Sequence, residues 1–157
     1  MSTESPTAFA TARPYIRALL VIAALRYLLD WFRNPTFFDA FGVYAGSLAM
    51  MLTIAFTGSL REPSLGRTLK VTTWIAFCAW WFPNFVSYMT AQWIGWTHGR
   101  FAEGRAAPPA PEVAAKFANA LSTACLTTVA GILWCGILGI LCIWLPTRWS
   151  KTSTTAA

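Results

Sequence analysis

Apolar residues along the chain gather into four runs separated by short polar connectors, and the length of each run decides what it can become. A helix needs roughly 20 apolar residues to cross a hydrocarbon core about 30 Å thick. The first run covers residues 15–32, with Pro14 placed for the first helical position and Pro35 closing it. It is interrupted by Arg26 and Asp30, one helical turn apart near its end. That spacing predicts an ion pair inside the membrane, and Arg26 is close enough to the end to snorkel to the interface.

The second run covers residues 37–57, where Thr36 can cap the helix and Asp39 falls in its first turn, favourable to the dipole. Gly42 and Gly46 form a G-x-x-x-G pattern, which predicts a close approach by a neighbouring helix of this chain or of another. After a connector rich in charge, with Arg61, Glu62, Pro63 and Arg67, the third run spans residues 69–96. It would be about 42 Å long if wholly helical, so it must tilt, bend or project. Pro83 removes one backbone bond and predicts a kink there. Beyond it, Asn84, Tyr88, Ala91, Gln92 and Gly95 share one face, a polar stripe that must face protein or a cavity.

Residues 97–119 form the one long connector, charged at its start and Ala/Pro-rich afterwards, with a helix-compatible pattern resuming at Pro111. The fourth run, residues 120–145, ends at Pro146. Ala124, Thr128, Gly131, Cys135, Gly139 and Cys142 recur along it at spacings of three and four. Such a stripe of small residues predicts a helix–helix interface, because in lipid close packing replaces the hydrophobic drive. The expected fold is therefore all-α, an integral membrane four-helix bundle over residues 14–146, with the third helix kinked at Pro83. Polar tails, 1–13 and 147–157, flank it.

Composition strengthens the membrane expectation: 56% of the 157 residues are hydrophobic and 11% charged, against about 25% charged in a soluble domain. The net charge of +6 is spread over connectors rather than along a basic stripe, so it fits lipid headgroups and excludes nucleic acid as a partner. Seven of the 12 Lys and Arg fall on the side shared by both termini (Arg13, Arg17, Arg61, Arg67, Lys70, Arg148, Lys151). By the positive-inside rule both termini are cytoplasmic, in a bacterial-type inner membrane. No cleavable signal peptide is expected, since Arg26 and Asp30 break the first apolar run.

Candidate chemistry is sparse. The cysteines, Cys78, Cys125, Cys135 and Cys142, all lie in apolar runs without metal-ligand spacing, and no hydrolase, phosphate-binding or dinucleotide pattern occurs. No catalysis, metal or cofactor is required by these residues. Trp80, Trp81, Asn84, Tyr88 and Gln92 around Pro83 suit an apolar ligand such as a quinone, a lipid or a pigment. His98 is the sole histidine and a candidate axial ligand to a haem or pigment at the membrane surface. The sequence points to a non-catalytic accessory or scaffold subunit, partnered by lipids and by other membrane subunits or copies of itself. The alternative is a small oligomeric transporter or channel.

Overall fold

A computed structural model describes residues 6–32, 38–62, 64–102 and 104–146, and all regular structure among these residues is helical. The α-helices are α1 (Ala8–Asp30), α2 (Phe38–Ser59), α3 (Leu65–Ala76), α4 (Phe82–Ile94) and α5 (Val113–Gly139). A π turn, Phe77–Trp81, joins α3 to α4 without a break, and a second, Ile140–Trp144, extends α5. Among the described residues two stretches, Ala8–Asp30 and Phe41–Ser59, are long and apolar enough to cross a membrane. The proposed cap Thr36, the stop at Pro35 and the tail from 147 with Arg148 and Lys151 lie outside the described residues, as does the side chain of Asp39.

α1 starts earlier than the proline suggested. Thr7 caps it, its hydroxyl accepting the amide of Ala10 at 3.2 Å, and Pro14 lies inside the helix. A proline there forfeits the bond to the carbonyl of Ala10, and tertiary packing compensates. The Phe9 ring meets Trp74 edge-on at 5.1 Å, and Ala12 is fully buried. Residues 8–13 therefore belong to the first helix rather than to a polar tail. The third helical run is also longer than expected at its start, because Ser64 caps it by accepting the amide of Arg67 at 3.3 Å.

The kink expected at Pro83 takes the form of the π turn just before it. Proline has no amide to give the carbonyl of Ala79. In a π turn the bonds run to the fifth residue back, and Phe82 donates to Phe77, so the ring of Pro83 enters α4 in its first turn. The wider turn also rotates the buried face: after Ile75, both Ala79 and Trp80 are buried, then Asn84 and Tyr88.

The second π turn acts likewise on the small-residue stripe of α5. Ala124, Thr128, Gly131, Cys135 and Gly139 are buried, but beyond Gly139 the inward positions are Ile140 and Trp144. Cys142, expected in the interface, is exposed. The extra residue in the turn has carried it off the packed face.

α1 packs on α2 and α3, α2 on α5, and α5 on α4. Contacts at both ends fix directions: Phe9 lies by Trp74, while the Tyr27 hydroxyl bonds that of Thr90 at 3.1 Å, so α1 runs parallel to α3 and α4. α2 and α5 finish together, with Gly58 against Ile143 and Gly139 against Thr57. One apolar core, including Leu19, Val71, Ile75, Trp80, Ile140 and Trp144, fills that end. A second, including Tyr88, Ala91, Trp96, Phe101, Ala120 and Ala124, fills the seam under the long connector.

Candidate functional site: an arginine-walled cleft

The connector after α4 does not stay outside the bundle. Gly95 ends α4 in the left-handed conformation, φ 79°, and its amide bonds the carbonyl of Ala91 at 2.8 Å. Trp96, buried, then packs against Trp31 at 5.1 Å and Phe101 at 5.4 Å. Phe101 is also buried, edge-on to Tyr88 at 5.4 Å. These rings pin the short 3-10 turn Gly99–Phe101 across the end of α1 and α4 and aim Arg100 inward.

The Arg100 guanidinium pairs with the Asp30 carboxylate, donates to Asn84 Oδ1 at 3.2 Å and lies 4.9 Å over the Phe101 ring. His98 Nε2 lies 2.9 Å from the backbone carbonyl of Asp30. A carbonyl only accepts, so Nε2 carries the proton and donates. A nitrogen that donates has no lone pair for a metal, which removes Nε2 from the haem or pigment role considered for His98. Its observed work is to hydrogen-bond the carbonyl of the last residue of α1.

Arg26 stands one turn before Asp30 on α1, yet among the described residues the ion pair of Asp30 is with Arg100 and not with Arg26. The sequence spacing suggested the local pair; the fold supplies a partner 70 residues away. Arg26 instead lies across α2 at Gly46, where an added Cβ would sit 3.4 Å from its guanidinium. At Gly42 an added Cβ would meet nothing within 4 Å. Within the chain the two glycines thus make room for a side chain and a cleft, and the helix expected to pack on them is not one of the described helices.

The polar stripe of α4 divides. Gln92, buried, fastens the Pro-rich half of the connector: its Nε2 donates to the carbonyls of Ala107 at 2.8 Å and Pro108 at 3.2 Å, and its Oε1 accepts the amide of Ala110 at 3.0 Å. Trp81 stacks between Phe77 and Phe85 at 5.2 and 5.3 Å, and its indole reaches Cys125 Sγ at 3.3 Å. Trp80, Asn84 and Tyr88 face inward. The indole of Trp80 donates to Thr53 at 3.0 Å and its ring covers Gly131.

Two clefts meet on Arg26, Tyr88 and Arg100. One of about 260 Å³ lies under the connector, bounded by Asp30, Gly42, His98, Gly99 and Arg105. The other, about 530 Å³, continues past Asn84 to Met50, Trp80, Thr127, Gly131 and Cys135 near the middle of the helices. The Nε–H groups of Arg26 and Arg100 are buried without a hydrogen-bond partner among the described residues. Among the described residues, three arginines, Arg26, Arg100 and Arg105, line the smaller cleft with one carboxylate, Asp30.

No family model, curated protein or solved structure matches the chain.

Among the described residues no group of three or more His, Cys, Asp or Glu could hold a metal. What the arrangement offers chemically is a set of cationic donors at the head of an apolar cleft, suited to holding an anion or a strong acceptor. Arg100 and Arg105 carry much of that character, and sequence reasoning treated both as topology charges. The available signal was their setting, since Trp96, His98, Arg100 and Phe101 interleave aromatic and basic residues in a segment otherwise polar.

Proposed function

We propose that the chain is a four-span integral protein of a bacterial-type inner membrane, a non-catalytic accessory subunit of a larger membrane complex that holds a ligand in the arginine-walled cleft. The spans are α1, α2, the continuous run from α3 through α4, and α5 with its π turn. Large apolar side chains on the outward faces support this, with Val21, Tyr44 and Leu126 at 70%, 70% and 72% exposure. Charged groups within lipid turn toward protein or a cavity, as Arg26 does. With both termini cytoplasmic, the cleft under the connector lies toward the outer side.

The observation that carries the reading is the convergence of Arg26, Arg100 and Arg105 on adjoining clefts where, among the described residues, Asp30 is the one carboxylate. Guanidinium groups that line one cavity suit a negatively charged or strongly accepting ligand. Purification of the tagged full chain in mild detergent, with mass spectrometry and an absorption spectrum of what stays bound, tests it. Protein partners and a retained small molecule are expected; a bare monomer contradicts it.

A second reading, a small oligomeric transporter or channel, is favoured by one observation: the clefts share Arg26, Tyr88 and Arg100 and so form a path from the connector to mid-bundle. Flux through reconstituted vesicles that survives Asp30→Asn combined with Asn84→Ala would remove that path from consideration.

A further inference from the structure

We infer that the ligand is an anionic amphiphile, its carboxylate or phosphate head held by Arg26 and Arg100 and its hydrocarbon chain lying along Trp80, Gly131 and Cys135. This rests on the ligand-holding reading above and names the class of molecule. Charge comes first. Among the described residues, Arg26 and Arg100 have one carboxylate near them, Asp30, which Arg100 already engages. A buried cation without a counter-ion is far more costly than a paired one, so the cleft is completed by negative charge, which a neutral quinone lacks.

Geometry comes second. A guanidinium has five N–H donors; Arg100 spends two, on Asp30 and Asn84, and Arg26 makes no hydrogen bond to any described residue. Two guanidinium groups lining one cleft suit an oxyanion with several acceptor oxygens. The far wall is different in kind. There the Trp80 indole N–H is already used on Thr53, leaving its ring face with Gly131 and Cys135 as an apolar channel for a chain. The larger cleft, about 530 Å³, falls within the roughly 300–1,000 Å³ of ordinary ligand sites.

The test is tryptophan quenching of the full chain in nonionic detergent by brominated stearic acid, with brominated stearyl alcohol as the neutral match. Saturable quenching by the acid is expected, smaller in Trp80→Phe because that indole lines the chain site. The alcohol should bind about tenfold or more weakly, and Arg26→Gln should weaken the acid by a similar factor while Arg26→Lys retains most of the affinity. Dodecyl phosphate should displace the acid, more tightly than dodecanoate if the natural head is a phosphate and less tightly if it is a carboxylate. Inorganic phosphate should not displace it, and equal displacement would overturn the amphiphile. Acid and alcohol binding alike would overturn the anionic head while leaving a ligand-holding cleft. No saturable quenching by either would overturn both. Should Arg26→Gln fail to fold, the comparison of acid with alcohol on the unaltered chain decides alone.

Discussion

The two ends of the helix bundle use glycine in opposite ways. Where α2 and α5 finish, glycine is a packing device: a Cβ at Gly139 would collide with Thr57 Oγ1 and stand 2.6 Å from the Ile54 carbonyl oxygen. At the end where α1 finishes and α2 begins, a Cβ at Gly42 would meet nothing, and Gly46 faces only the tip of Arg26. The first end is filled by Trp80, Ile140 and Trp144; the second holds two clefts and three arginines. Identical residues thus build a closed core at one end and an open polar site at the other. What separates them is the connector, which brings Arg100 back into the bundle.

The contrast can be broken by substitution. Asp30→Asn should have the largest effect, because it removes the carboxylate paired with Arg100 in a site where the paired side chains are only 12–13% exposed. A loss of about 3 kcal/mol is expected from removing one partner of a buried pair, read as a lower unfolding midpoint in detergent. Gly139→Ala comes next, at about 2 kcal/mol, since the helices must part to admit one methyl. Gln92→Ala should cost about 1 kcal/mol and act locally, with faster amide hydrogen exchange at Ala110, whose partner it removes. Gly42→Ala should change stability by no more than about 0.5 kcal/mol. If Gly42→Ala proved as damaging as Gly139→Ala, the open-end, closed-end distinction would fail.

The helical class was legible because the apolar runs have the right length and their breaks carry Gly, Pro and charge. Local signals also found the stripe of α5 from Ala124 to Gly139. They failed at Cys142 because a π turn shifts the face by one residue, and spacing rules assume a constant helical period. Pro83 announced a disturbance in the third run, but not that five residues before it would absorb it. The ion pair was misassigned for a different reason. Arg26 and Asp30 satisfy the one-turn rule, while the actual partner, Arg100, depends on where buried Trp96 and Phe101 fold the connector. Gly42 and Gly46 have the spacing of a helix contact, and the fold shows that within the chain a side chain and a cleft lie on their side.

The most direct measurement is native mass spectrometry of the full chain released from mild detergent, compared with Arg26→Gln. The arginine-walled cleft requires one small molecule bound per chain in the parent protein and its loss, or a marked fall in occupancy, in the variant. A parent chain that flies bare, or a variant that keeps the same molecule at the same occupancy, would contradict it.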